Sequence, residues 1–143
     1  MLVSHILKEK GHNVLAIPPQ STLLEAAQVL TANRIGALLV LTAERELAGI
    51  ISDRDIVRAV AENGAAALGL TVDSIMVTDV ATCEEHDTIE EIMETMTACR
   101  FRHMPVVEKR IVIGIVSTGD VVKTRIAETM REAQALREYI AAT

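Results

Sequence analysis

Two polar turns, each following a short β-rich run, carry residue types that bind phosphorylated ligands. They read SDRD at residues 52–55 and STGD at residues 117–120. A Ser hydroxyl and free backbone N–H groups at the start of a helix favour an anion, because unpaired donors and the helix dipole attract negative charge. An Asp one turn on can accept hydrogen bonds from a ribose diol. The candidate contacts are Ser52, Arg54, Asp55, Ser117, Thr118 and Asp120.

The same turns also fit a purely structural role. Ser-x-x-Asp is a common start of a helix, with Ser as the N-cap and Asp favoured in the first turn. For one turn alone, both interpretations remain open. Ligand binding is favoured because Gly-Ile-x-Ser-x-x-Asp occurs twice, at residues 49–55 and 114–120, in copies whose other surface residues differ.

Other kinds of reactive site are missing from the sequence. The four His residues lie on separate segments without metal-binding spacing, and no nucleophile elbow or phosphate-binding loop motif is present. Cys83 and Cys99 stand in apolar surroundings without a CxxC pattern, so we expect two reduced thiols in the core. The sequence therefore predicts neither catalysis nor a metal site.

Composition excludes two classes of partner. Phe101 and Tyr139 are the only aromatic residues and the net charge is −6, which argues against stacking and phosphate contacts with nucleic acid. Half of the 143 residues are apolar, enough for a core. Polar residues interrupt every apolar run before the roughly 18 residues that span a bilayer. We therefore expect a soluble, cytoplasmic protein without a membrane partner.

The two turns belong to a repeat that covers most of the chain. Residues 49–57 match residues 114–122 at an offset of 65, and residues 33–41 match residues 99–107 at an offset of 66. Near the start, VSHIL matches VDSIM at an offset of 69, so the first copy has three extra residues near residues 10–13. Internal repeats of this kind mark one supersecondary unit used twice.

Each copy predicts a strand, a helix, two strands and a second helix. Thr-x-x-Glu at Thr22 and Thr88 predicts a capping box at the start of the first helix. Short extended segments precede these helices at residues 14–17 and 80–83. The paired strands are expected at residues 37–41 with 47–52 and 103–107 with 111–117, and the second helices at residues 53–63 and 119–137. One copy alone leaves an apolar sheet face uncovered, so the two must pack together.

The duplicated Gly-Ile-x-Ser-x-x-Asp turn, the capped helix before it and the IGALLV and RHMPVV strands resemble cystathionine beta-synthase (CBS) domains in tandem. The resemblance covers about residues 1–127. It implies a mixed α/β (α+β) fold of two β-α-β-β-α repeats related by a pseudo-two-fold axis. The corresponding division is repeat one at 1–64, a linker at 65–71, repeat two at 72–127 and a helical extension at 128–143.

The resemblance also implies ligands and their contacts. Many CBS pairs bind AMP, ATP, NAD(H) or S-adenosylmethionine in clefts between the repeats, and many form homodimers. Asp55 and Asp120 would bind ribose, and Ser52 and Ser117 would contact phosphate. The adenine would lie between apolar strand residues, with Val14, Ile35 and Ala37 on one side and Val80, Phe101 and Met104 in the equivalent place.

Charged residues at equivalent positions differ between the copies. Arg54 stands where the second copy has Gly119, and Arg102 and His103 replace a Gly-Ala pair of the first copy. We therefore expect two clefts of unequal charge. A surface position is the alternative for Arg102, and a strand-end His with satisfied hydrogen bonds is the alternative for His103.

The C-terminal run is predicted to extend beyond the second repeat as an amphipathic helix. Apolar residues recur at spacings of three and four between residues 126 and 140. This stripe is expected either to pack back on its own module or to dock on a second subunit.

These observations favour a regulatory sensor that binds an adenosine nucleotide, with AMP first and NAD(H) second. The regulated protein would be a separate chain, whose identity the sequence does not reveal. The alternative is a structural dimerisation or partner-binding module with vestigial clefts. The presence of both Asp55 and Asp120 favours the sensor.

Overall fold

The first repeat follows the predicted order after an additional N-terminal helix, whereas the second repeat lacks the predicted first strand. The computed structural model describes residues 1–142. Two short 3₁₀ segments, Gly64–Gly69 and Val72–Ser74, connect the copies. The helices and strands are α1 (Val3–Lys10), β1 (Ala16–Ile17), α2 (Leu23–Asn33), β2 (Ala37–Leu41), β3 (Leu47–Ser52), α3 (Asp53–Asn63), α4 (Ile89–Cys99), β4 (His103–Glu108), β5 (Ile111–Ser117) and α5 (Thr118–Ala142).

The first helices of the two copies begin and end in the same way. Thr22 Oγ1 accepts from the Glu25 N–H at 3.2 Å, and Thr88 Oγ1 accepts from the Glu91 N–H at 3.1 Å. These bonds form the threonine half of each predicted capping box. At the other end, both helices stop at an Arg in the left-handed region, with φ of 54° at residue 34 and 57° at residue 100.

The sheets have equivalent registers but unequal strand numbers. In the first sheet β2 lies between β1, which is parallel to it, and β3, which is antiparallel. The second sheet pairs β4 with β5, and the strand expected at residues 80–83 is reduced to one parallel bridge between Cys83 and Val106. Both hairpins shift register at the same repeat position, after Val40 and after Val106.

The N-terminal helix packs in the core of the second copy. Val3, Ile6 and Leu7 are buried with α4 and β4 residues, and Val3 N–H donates to the Asp87 carbonyl at 2.9 Å. In return, Val72 is buried in the first core, and its N–H donates to the Ser21 carbonyl at 2.7 Å. The repeats at 1–64 and 72–127 therefore describe the sequence pattern, whereas each packed core draws on both.

A third apolar cluster joins the two sheets. Leu39 and Leu41 of β2 are buried with Val112 of β5, and Val14 and Ile115 pack against them. All five residues of β2 are buried, as expected for a central strand covered on both faces. This cluster holds the two copies together as one module.

Helix α5 continues far beyond the second core. Val121 is its buried residue among those described, and residues 131–142 are all exposed. Ile126, Met130 and Leu136 are each more than half exposed. The predicted extension at 128–143 is helical in its described part, while residue 143 lies outside the described residues.

Candidate ligand-binding clefts

The first cleft lies between the SDRD turn of one copy and the end of α4 in the other. It is a cavity of about 230 Å³, and the residues of the first copy that line it include Ser52, Arg54 and Asp55. The second copy contributes residues 100–103, which link α4 to β4. The strand-to-helix turn and the opposing helix end thus bring residues more than 40 positions apart in the sequence into one cavity.

Cations outnumber carboxylates in the first cleft. Arg54, Arg100 and Arg102 line it together with Asp53 and Asp55. Arg100 has a left-handed backbone, with φ of 57°, which a non-glycine residue adopts at a cost. A guanidinium group fits phosphate through paired hydrogen bonds. The cleft therefore offers cationic groups for an anionic ligand from both copies.

Asp55 caps α3 with one of its carboxylate oxygens. Its Oδ2 accepts from the Ser52 N–H at 2.9 Å and from the Ser52 hydroxyl at 3.0 Å. Its Oδ1 lies 3.7 Å from the Arg58 guanidinium, beyond hydrogen-bonding distance. Asp55 therefore does cap the helix, and its Oδ1 atom is left to accept a hydrogen bond from a ligand hydroxyl.

The expectation of free backbone donors at the start of α3 is wrong. The Asp53 N–H donates to the Gly36 carbonyl at 3.0 Å, and the Arg54 N–H donates to Asp53 Oδ1 at 2.8 Å. The Asp55 N–H donates to Ser52 Oγ at 3.3 Å. Because these donors have partners inside the chain, phosphate recognition in this cleft would rest on the arginine side chains.

The second cleft is the pseudo-symmetric counterpart of the first. This cavity of about 380 Å³ lies between residues 34–37 of the first copy and Ser117 with Ile115 of the second. Ser117 Oγ accepts from the Asp120 N–H at 3.1 Å, and Asp120 Oδ2 accepts from the Ser117 N–H at 2.9 Å. The Ser-x-x-Asp cap is therefore repeated.

Asp120 lines a smaller cavity beside the second cleft, together with Lys10, which lines both, and its charged partner is closer than that of Asp55. Lys10 Nζ donates to Asp120 Oδ2 at 2.6 Å and to the Ile115 carbonyl at 3.0 Å. Partial burial raises the pKa of Asp120, but hydrogen bonds from Lys10 and Ser117 outweigh it and bring the pKa below its ordinary value. The carboxylate is therefore ionised and already paired.

His103 lines both cavities. Burial lowers the pKa of His103, and the charges of Lys10 and Arg102 lower it further against the opposing effects of Asp120 and Asp53. The ring is therefore neutral near pH 7, and one nitrogen can accept a hydrogen bond. The His103 ring therefore lies where a ligand in either cleft would meet it, and the ligand contact stays a prediction.

The predicted base-binding residues divide into two groups. Phe101 lines the first cleft, Ile35 the second, and Ala37 both. The others do not line these cavities. Met104 is 1% exposed within the second core, Val14 packs in the cluster between the sheets, and Val80 is half-buried. The alternation of side chains along a strand explains the burial of Met104, because its side chain lies on the face of β4 opposite to that of His103.

Thr118 is also held within the fold. Its N–H and its hydroxyl both donate to the Arg102 carbonyl, at 2.8 Å and 3.2 Å. The N–H bond is the counterpart of the Asp53 bond to Gly36 in the first copy. Thr118 therefore positions the turn beside Arg102 and does not line either cavity.

Sequence reasoning missed several residues that line the clefts. Arg34 and Arg100 occupy the same repeat position, so the alignment of the copies already contained that signal. Val77 lines the first cleft and Lys10 the second, and both come from segments adjoining the other repeat's core. No local pattern pointed to them, because their position depends on contacts far along the chain.

The two cysteines are free thiols in different surroundings. Burial, together with Asp87 and Glu84, raises the pKa of the Cys83 thiol to about 12, so this thiol stays protonated. Both cysteines are free, but Cys99 is exposed at the end of α4, so the expectation of a core thiol is wrong there. No group of three or more potential metal ligands occurs in this part of the chain. None of its helices has the length and apolar character to cross a membrane.

Known proteins share this architecture. The CBS domain model matches residues 3–62 and 72–132. The crystal structure of ATU1752 from Agrobacterium tumefaciens is 43% identical, covers 87% of this chain and 92% of its own, and has a TM-score of 0.83. The CBS pair of protein MJ0100, solved with 5-methylthioadenosine and S-adenosyl-L-methionine, is 27% identical, covers 90% and 98%, and has a TM-score of 0.79.

A curated relative agrees with these structures. The CBS domain-containing protein CBSX3, mitochondrial, of Arabidopsis thaliana is 32% identical over 96% of this chain and 71% of its own length. Other CBS-domain relatives are longer, and this chain spans 22% of their length. The predicted fold class, a mixed α/β fold of two CBS repeats, is confirmed. CBS pairs are regulatory modules. The two matched segments and the shared fold show that the chain belongs to the CBS domain family, as a tandem pair.

Proposed function

We propose that this CBS pair is a regulatory sensor that binds an adenosine nucleotide between its two repeats. The observation that carries the proposal is the composition of the first cleft. It combines Asp55 on one repeat with Arg100 and Arg102 on the other. A carboxylate suits a ribose and guanidinium groups suit phosphate. The two adenosine-containing compounds bound by the MJ0100 pair support an adenosyl ligand.

AMP is the first proposed ligand and NAD(H) the second, with ATP also in the class. The first cavity, at about 230 Å³, is smaller than the roughly 300 to 1,000 Å³ of most drug-sized pockets. This size favours a mononucleotide over a dinucleotide. Arg54 would contact phosphate, Phe101 would contact the base, and neutral His103 would accept from a donor group of the ligand.

The proposed output is a change in how the two repeats, or two subunits, pack. A ligand can shift such an equilibrium only if it binds the two arrangements with different affinity. Because the first cleft is lined by both repeats, the position of one relative to the other changes its contacts with the ligand. We propose that this change controls a separate protein, and that the chain itself is not an enzyme.

Homodimer formation and a cytoplasmic location also remain proposals. The half-exposed apolar residues Ile126, Met130 and Leu136 on α5 favour the dimer and also the second candidate function, a structural partner-binding module. CBSX3 carries the word mitochondrial in its name, so location in particular needs direct imaging of the tagged protein.

The first test is a thermal-shift panel with AMP, ADP, ATP, NAD, NADH, S-adenosylmethionine and 2′-deoxy-AMP. A ligand that binds only the folded chain raises the melting temperature, by linkage. We expect a rise with AMP and a smaller one with 2′-deoxy-AMP. Asp55→Asn should weaken AMP about tenfold, the cost of about one hydrogen bond to a charged group, whereas Glu62→Gln on the same helix should bind as the parent does.

Arginine variants separate the phosphate contact from the sugar contact. Arg100→Gln and Arg102→Gln should weaken AMP but leave adenosine binding unchanged. If Asp55→Asn combined with Asp120→Asn binds AMP as the parent does, the site is wrong. If none of the compounds raises the melting temperature, the structural module is the better account.

A further inference from the structure

The second cleft already contains a cation from the chain itself. Lys10 lines this cavity, and its ammonium group lies between Asp120 Oδ2 at 2.6 Å and the Ile115 carbonyl at 3.0 Å. The Lys10 and Asp120 side chains are 35% and 25% exposed, so this pair is partly withdrawn from water. The two bonds hold the lysine between the second cleft and the carboxylate that a ribose would need.

The first cleft satisfies the equivalent groups without any lysine. Ile50 corresponds to Ile115, and its carbonyl accepts from the Val77 N–H at 2.9 Å. The cation nearest to Asp55 is Arg58, at 3.7 Å and one turn later on the same helix. The lysine ammonium therefore donates to the Ile115 carbonyl, whose counterpart in the first copy accepts from a backbone N–H. In addition, it pairs with the Asp120 carboxylate.

The asymmetry has a clear origin in the sequence. Lys10 is the last residue of α1 and lies at the point where the first copy carries three extra residues. Those residues bring the end of α1 over β5, where His12 Nδ1 also lies 2.9 Å from the Ile113 carbonyl. The matching connection after Val72–Ser74 is shorter and reaches the first cleft through backbone atoms.

We propose that Lys10 acts as a built-in occupant of the second cleft, so that each chain binds one nucleotide, in the first cleft. This inference rests on the proposed function. A ribose hydroxyl is a neutral donor, and it would have to displace a lysine ammonium whose bond to Asp120 joins two opposite charges and is also a salt bridge. Lys10 thus makes two clefts with similar Ser-x-x-Asp turns unequal in affinity.

Isothermal titration of the full chain with AMP tests this inference. The parent chain should bind one AMP per chain. Lys10→Gln should bind two, with affinity at the second cleft raised about tenfold or more, the factor that corresponds to roughly 1.4 kcal/mol. Lys8→Gln, on the same helix but outside the second cleft, is the matched control and should bind one. Adding Asp120→Asn to Lys10→Gln should return the number to one.

Each other outcome has a definite meaning. Two AMP molecules on the parent chain, or one on a folded Lys10→Gln chain, would overturn the inference while the proposed function stands. Weaker binding at the second cleft of Lys10→Gln would also overturn it, because Lys10 would then be a ligand for phosphate. Should Lys10→Gln fail to fold by circular dichroism, Lys10→Met replaces it. Absence of AMP binding in every variant would overturn the proposed function itself.

Discussion

At the scale of single residues, the lowered pKa of His103 links the stability of the chain to pH. Burial first, and then Lys10 and Arg102, lower its pKa below 6.5 in the folded chain. In the unfolded chain the pKa returns to about 6.5. Between those two values the unfolded state binds more protons, so the free energy of unfolding falls as the pH falls through this window.

We therefore expect His103→Gln to reduce the pH dependence of stability. The free energy of unfolding, measured in urea between about pH 7.5 and pH 5.5, should drop less for this variant than for the parent chain. The pKa values of Asp120 and Glu128 are lowered from 3.8 and 4.5, so those carboxylates lose their contribution only at more acid pH.

The control for this prediction is His86→Gln. The His86 side chain is 76% exposed, its Nε2 atom lies 3.1 Å from Glu84 Oε2, and it lines neither cleft. This variant should follow the parent across the same range. Equal slopes for His103→Gln and the parent would show that His103 does not carry the effect.

At the scale of elements, two equivalent glycines let other segments cross the second strand of each hairpin. A Cβ atom on Gly49 in β3 would lie 2.7 Å from the Val77 carbonyl oxygen and 2.7 Å from Met76 Sδ. A Cβ atom on Gly114 in β5 would lie 2.7 Å from Leu7 Cδ2. The same crossing that brings Val77 into the first cleft therefore requires a glycine.

We expect Gly49→Ala to destabilise the chain by about 1 to 3 kcal/mol, because a backbone oxygen must move. Gly114→Ala should cost less, since the end of the Leu7 side chain can rotate. Gly69→Ala, which meets nothing within 4 Å, is the control and should be neutral or slightly stabilising. Urea midpoints measure all three, and the reverse order would show that the crossing is not tightly packed.

At the scale of the whole molecule, the exchanged segments make the two repeats interdependent. Leu7 is 1% exposed in the second core although it belongs to the first copy of the sequence. Ala67 and Val72 complete the first core from the connecting segment. Cutting the chain between the sequence repeats would remove part of each core, so we regard the pair as one folding unit.

We expect Leu7→Ala to destabilise the entire chain by about 2 to 5 kcal/mol in a single transition. Leu15→Ala, at a side chain that is 44% exposed, is the control and should cost much less. Backbone amide signals from α2 and α4 report on the two cores separately. Loss of the α4 signals at a lower urea concentration than the α2 signals would contradict one cooperative unit.

The sequence by itself determined the repeat, the order of most elements and most of their bounds, although it predicted neither α1 nor the loss of the strand at 80–83. The predicted segments at 37–41, 47–52 and 53–63 coincide with β2, β3 and α3. These features follow from short-range causes, namely side-chain periodicity, Ser and Thr caps, and Gly64 at the end of α3. The unequal charge of the clefts was also readable, because aligned copies expose each substitution.

Only the tertiary structure decided which groups are free to meet a ligand. The N–H groups at the start of α3 donate to Gly36, Asp53 and Ser52, and the Met104 side chain is buried in the second core. Lys10 reaches Asp120 across 110 positions of sequence. The physical reason is that sequence periodicity shows which side of a strand or helix is packed. It does not show which distant segments the folded cores bring against that side or against the end of the helix.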